Sequence, residues 1–417
     1  MSAAPALALP ELLAPAGNLE KLKVAVHYGA DAVYLGGRQH SLRARAANFS
    51  EDEVRQGVAF AHAHGVRVYA AVNIFAHNRD LDGVAASLAF LQEAGVDACI
   101  VADPGILRLA RQHAPGMPLH LSTQMNVSNR EHALFWQEQG LARLNLAREL
   151  GCEEIAAIRK AVRCGLEVFI HGALCIAYSG RCLLSAYFTG RDANRGDCAQ
   201  PCRYSYALVE EKRPGQYFPI EEDERGAYVF NSKDLCLLGH LPVLVALGVD
   251  ALKIEGRMKS VAYVAQTVHL YRQALNWIGG QQARGAGLES LTMPARFFAE
   301  LANIGTRGHT DNFFLGQPDA DDMLHGSARL AQSSVPAGIA RTAEPLLVEA
   351  RHTLVPGDRL ECLLPERLQP LAARITALHD ADGRPLAQAR PSQCVRLTLA
   401  PAVQLAPCTL LRKTPHR

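Results

Sequence analysis

The sequence contains no run of about 18 apolar residues, so no membrane-spanning helix is expected. Its first ten residues, MSAAPALALP, lack the charged start and long apolar core of a secretory signal, which points to a cytoplasmic protein. An excess of charge is also missing. Forty-three Lys+Arg face 41 Asp+Glu, a net +2, too small to betray a polyanionic partner. There is no P-loop, no HExxH zinc helix, no GxSxG elbow and no helix-turn-helix or RRM string. The usual signatures of NTPases, metalloproteases, serine hydrolases and common nucleic-acid modules are therefore absent. Among 11 Cys and 16 His a nucleophilic Cys/His pair is possible in principle, but no motif points to one.

What is present is a serial pattern. The hydrophobic share of 49% is ample for a packed core and excludes disorder. Eight short apolar runs recur: ELLAP (11–15), AVYLG (32–36), VRVYAAVN (66–73), ACIVAD (98–103), LHLSTQM (119–125), RLNLAR (143–148), LEVFIHG (166–172) and ALKIEG (251–256). Continuous rather than alternating hydrophobicity fits strands buried on both faces. Helical segments lie between them. NLEKLKVAVHYG (18–29) opens on Asn and closes on Gly, and SEDEVRQGVAFAHAHG (50–65) opens with Ser50 and Glu53 in capping-box register.

Eight β/α units in series predict an α/β fold, a TIM-like (β/α)8 barrel over residues 10–280. An open doubly wound sheet is the alternative, but no GxGxxG follows the first strand. The gap before the eighth run predicts an insertion over 173–250, laid on the barrel mouth. Residues 210–228 read there as an exposed loop or hairpin, and 281–335 read as a Gly- and Ala-rich connector. Short strands separated by PGD, DGRPLA and APAV turns predict a small C-terminal β-barrel domain over 336–417. That tail carries 11 basic and 7 acidic residues, which permits contact with a phosphate backbone. Its contact with the large barrel is expected to be polar.

Chemistry concentrates in the insertion. Cys175, Cys182, Cys198, Cys202 and Cys236 fall within 62 residues. In a reducing compartment such a group is a metal or redox site more often than a disulfide framework. Paired CxxC knuckles are absent, and the spacing alone leaves zinc and iron–sulfur open. The other six, Cys99, Cys152, Cys164, Cys362, Cys394 and Cys408, read as small core residues. Polar residues at strand ends face the mouth of such a barrel: Asn73, Asp103, Gln124, Arg148 with Glu149, His171, and Glu255 with Arg257. His171 would stand beside any cluster and could shuttle a proton near neutrality. Arg257 or Arg148 could grip an anionic substrate with a paired guanidinium fork.

EVFIHGALCIAYSGRCLLSAYFTGRDANRGDCAQPCR, followed by NSKDL and KIEGRMKSVAYV, resembles peptidase family U32, the collagenase-like proteins. ELLAPAGNLEKLKVAVHYGADAVYLGG, AVNIFAHN and NIGTRGHTDNFFLG extend the likeness over essentially the whole chain, although NIGTRGHT departs from the family's usual Arg-Gly-Tyr/Phe-Thr string. Within the family the likeness is strongest to the tRNA hydroxylation branch, which makes 5-hydroxyuridine at the wobble position without dioxygen. The resemblance implies a 4Fe–4S cluster on Cys175, Cys182, Cys198 and Cys202, with Cys236 in reserve. It also implies prephenate as co-substrate and the anticodon arm of tRNA as partner, and it names no electron donor. Hydroxylation of ribosomal RNA, an accessory role in quinone biosynthesis, and collagenase-like proteolysis are the other activities that the family offers.

Overall fold

The computed structural model describes residues 8–37, 41, 48–175, 177–179, 182–203, 207–209, 217–219, 233–306, 308–317 and 332–413. Its strands are β1 Glu11–Pro15, β2 Ala32–Gly36, β3 Arg67–Val72, β4 Ala98–Val101, β5 Leu119–Leu121, β6 Arg143–Asn145, β7 Gly165–Ala173, β8 Ala207–Val209, β9 Tyr217–Pro219, β10 Asp234–Cys236 and β11 Ala251–Ile254. Strands β1 to β7 pair in parallel in chain order, and β11 closes the ring between β7 and β1. All eight apolar runs are thus strands of a closed barrel, and the open sheet is excluded. The β8–β9 pair is antiparallel. The rest of the expected hairpin, 210–216 and 220–228, lies outside the described residues.

Helices α1 Leu19–His27, α2 Glu51–Ala63, α3 Leu81–Glu93, α4 Pro104–His113, α5 Arg130–Glu138 and α6 Cys152–Ala161 follow the first six strands. Several starts are set locally. The Asn18 side chain accepts from the Lys21 amide at 2.9 Å, and Ser50 and Glu53 form a reciprocal capping box. α7 Leu184–Thr189 and α8 Leu241–Ala246 lie in the long β7–β11 connection. α9 Val261–Ala283 packs along β1 and α1 with Val264, Val268, Tyr271 and Leu275 fully buried. No helix among the described residues is long and apolar enough to cross a membrane.

The stretch read as a connector holds structure of its own. α10 Ala295–Leu301 packs on α9, and β12 His309–Thr310 adds to β10, which itself runs antiparallel against β7. The tail then forms a closed antiparallel barrel of β13 Val335–Thr342, β14 Leu347–Ala350, β15 Arg359–Cys362, β16 Leu371–His379, β17 Cys394–Ala400 and β18 Leu410–Lys413. Alternating burial along β16 and β17 puts Ala373, Ile375, Val395, Leu397 and Leu399 inside.

The contact between the two barrels is mixed rather than simply polar. Ile339, Leu363 and Leu410 join the core of the large barrel, while the Tyr28 hydroxyl donates to the Leu363 carbonyl at 3.0 Å. Arg412, 2% exposed, donates to Glu300 of α10 at 2.9 Å and to Glu361 of β15 at 2.6 Å. Removing one partner leaves a buried charge uncompensated. Arg412→Ala is therefore expected to cost about 3 kcal/mol of stability in urea unfolding. The double change Arg412→Met with Glu300→Met should recover much of it.

Candidate functional site

The barrel is closed at its centre by charge. Glu11 accepts from Arg143 at 2.7 Å, Arg143 reaches Glu167 at 3.4 Å, and Glu167 accepts from Lys253 at 2.7 Å. Burial alone would raise the Glu167 carboxyl, but Lys253 and Arg143 hold it below its usual range. Above this layer, at the carboxyl ends of the strands, opens a cavity of about 780 Å³ counted out to its solvent-facing mouth. That is the end at which barrel enzymes build their sites.

Five of the residues picked out by strand-end position meet there with the first cysteine: Asn73, Gln124, Arg148, Glu255 and Arg257 line the cavity together with Cys175. Asn73 donates to Gln124 at 2.8 Å. Arg257 is buried and donates to the Ser41 hydroxyl at 2.8 Å. A Cβ on Gly36 would come 2.1 Å from the Arg257 guanidinium, so a side chain at the end of β2 would push Arg257 aside. Arg148 is already engaged. It donates to the Ala173 carbonyl at 3.0 Å, to the Cys175 sulfur at 3.4 Å and to the Ser179 hydroxyl, and it stacks on Phe169. That arrangement makes Arg148 the residue that holds the first cysteine turn.

Further lining residues escaped the sequence reading. Lys253 of β11 lies two residues before Glu255, and side chains two apart along an extended chain share a face; that alternation could have found it. Asn145 sits in RLNLAR, hidden in an apolar run, at the last position of β6. Its side chain is 2% exposed, and neither its amide nitrogen nor its oxygen has a hydrogen-bond partner. The Gln124 nitrogen is likewise buried and unpartnered. Buried polar atoms left unpaired in a cavity call for a polar ligand.

Three expected site residues lie elsewhere. Asp103 is the N-cap of α4, accepting from the Gly105 and Ile106 amides at 2.7 and 3.0 Å. Glu149 follows Arg148 but does not line the cavity, and burial raises its carboxyl. His171 faces away from it. Phe169 pairs with Lys253, whereas His171 pairs with Ile254. Ile170 is thus one extra residue, and a bulge of this kind re-aims every side chain beyond it. His171 packs instead between Tyr263, Tyr271 and His309, 3.2 Å from the Tyr271 hydroxyl. Cys236 lies across β10, and the ligand atoms of His171, Cys236 and His309 come within 4.8 Å of one another.

Burial first, then His309 and Lys259, lower the His171 pKa to about 3, against an opposing pull from Asp234. A group neutral across the physiological range is no proton shuttle near neutrality. The unfolded chain protonates His171 near its ordinary value of about 6.5, so between about 6.5 and 3 it binds more protons than the folded one. Stability therefore falls as pH drops through that window. Between pH 7 and pH 5 the wild type should lose about 2 kcal/mol more than His171→Asn in denaturant titrations.

Cys175, Cys182, Cys198 and Cys202 stand free of disulfides on the segment after β7. The Gln200 amide, on a residue held at positive φ, donates to the Cys198 sulfur at 3.3 Å. Arg191 donates to the Cys198 carbonyl at 3.3 Å.

The family model for peptidase family U32 matches residues 17–324. The chain belongs to this family. Among curated relatives, this U32 chain is 39% identical over 409 residues to "tRNA hydroxylation protein P1" of Bacillus subtilis, covering 97% of this chain and 94% of that protein. It is 37% identical to "tRNA hydroxylation protein P" of Escherichia coli, covering 86% of each. It is 35% identical to the Escherichia coli "23S rRNA 5-hydroxycytidine C2501 synthase", covering 85% of this chain and 52% of that protein.

Proposed function

We propose that this protein is a cytoplasmic tRNA-modifying hydroxylase that forms 5-hydroxyuridine at the wobble position, without dioxygen and with prephenate as co-substrate. The reading is carried by the barrel mouth. A polar cavity with cationic Lys253 and Arg257, an unpaired Asn145 amide and the unpaired Gln124 nitrogen is lined by Cys175, the first of four cysteines on the segment after β7. The two relatives named for tRNA hydroxylation support the choice of substrate. A peptidase finds no support in the same cavity, since no histidine lines it among the described residues.

The donor set fits the implied cluster. Four thiols with N–H groups of Arg148 and Gln200 turned onto two of the sulfurs suit thiolate ligation, in which hydrogen bonds to sulfur tune the potential. Cys175, Cys182, Cys198 and Cys202 would hold it. When bound, a 4Fe–4S cluster supplies one-electron transfer. The chain's own residues do the rest. Arg257 and Lys253 hold the carboxylates of the anionic co-substrate. Asn145 and Gln124 offer the donors and acceptors that read a flipped pyrimidine edge, and Arg148 keeps the Cys175 turn in place.

The tail barrel grips the anticodon arm through phosphates. Exposed Arg359 and Arg374 stand directly opposite on paired strands, an arrangement that is unfavourable for like charges unless an anion bridges them. Deleting the gene in a strain without paralogues should abolish 5-hydroxyuridine in tRNA nucleosides analysed by mass spectrometry. Unchanged tRNA with loss of 5-hydroxycytidine from 23S rRNA would transfer the activity to ribosomal RNA. Intact levels of both would remove the hydroxylase reading.

A further inference from the structure

Helix α7 is built inside out. Of its residues only Ser185 is buried, its hydroxyl accepting from the Ala199 amide at 2.9 Å, whereas Tyr187 is 84% and Phe188 50% exposed. Leu183 before it is 72% exposed and Tyr178 51%. Three of the five exposed aromatics among the described residues thus crowd into 178–188. Ser179 lies within this stretch and Asn194 follows it, and both line the cavity, so the aromatic stretch borders its mouth. A helix that buries its serine and exposes its rings leaves an apolar patch that water disfavours and a partner would cover. Tyr187 and Phe188 meet edge to face at 5.2 Å, so one ring offers its flat face at an angle to the other.

We propose that this aromatic rim is a stacking ledge for the unpaired bases on either side of the nucleotide held in the barrel mouth. The inference rests on the hydroxylase reading and adds to it how a single-stranded loop is seated. Charge argues for RNA as the occupant. The cavity beside the ledge is lined by Arg148, Lys253 and Arg257 against Glu255 alone, so the field at its mouth favours an anionic backbone while the exposed rings face the bases. Proteins that bind unpaired RNA combine these two features. Stacking tolerates any base, so the ledge would seat the loop without adding sequence preference.

The test uses the full chain and two probes, a fluorescently labelled anticodon stem-loop RNA and a fully paired RNA duplex of the same length. Tyr187→Ala with Phe188→Ala should weaken stem-loop binding about ten-fold and leave duplex binding unchanged, and Tyr187→Phe should bind like the wild type. Because both rings are exposed, the double variant should unfold at the wild-type temperature. Unaltered stem-loop affinity in the double variant would overturn the ledge, as would equal weakening on both RNAs. A concentration-dependent dimer in the wild type that the double variant abolishes would assign the patch to a second copy of the chain and overturn it as well. If the wild type binds neither RNA, the hydroxylase reading fails and the ledge falls with it.

Discussion

Anaerobically purified protein is expected to be brown, with about four irons per chain, and Cys182→Ser to lose the colour, the iron and all tRNA hydroxylation. Cys175→Ser and Cys198→Ser should likewise lose iron and activity, because each removes one of the four thiolates that would hold the cluster. Cys99→Ser is the control. Cys99 is fully buried in the barrel and burial pushes its thiol up to about 12, so it stays protonated and offers no ligand. The fourth position is decided by a pair of variants. Colour lost in Cys202→Ser and kept in Cys236→Ser places the ligand on the mouth segment. The opposite result moves it to Cys236, which packs against the Tyr271 hydroxyl at 3.6 Å behind β7. Stoichiometric zinc without iron would overturn the cluster altogether.

Arg257→Lys should fold, keep its iron and lose activity by on the order of a hundred-fold. Lysine keeps the charge but not the planar fork that grips two carboxylate oxygens at once, and its ammonium would no longer fill the space over Gly36. The loss should fall mainly on saturation by the anionic co-substrate, with tRNA affinity unchanged. Arg148→Lys should behave differently. Arg148 is spent on the Ala173 carbonyl and the Cys175 and Ser179 side chains, so its loss should lower iron content together with activity. Full activity in Arg257→Lys would take that residue out of the site.

The barrel was legible from local pattern because it is made of local decisions. The barrel strands are short apolar runs, and several helix starts carry their own cap, as Asn18 and Ser50 show. Free thiols gathered in one insertion and polar residues at strand ends could likewise be read along the chain, and Asn73, Gln124, Cys175, Glu255 and Arg257 do converge. What sequence periodicity could not supply was phase. One extra residue in β7 turns His171 from the mouth into a neutral, buried ring, and a cap such as Asp103 looks identical in sequence to a site carboxylate. Asn145 became visible as a site residue only when neighbouring strands placed it on the inner face. The inverted helix α7 and the Arg412 bridge between the barrels depend on partners more than ten residues away along the chain. Pairing across such distances is set by packing, which no window of sequence contains.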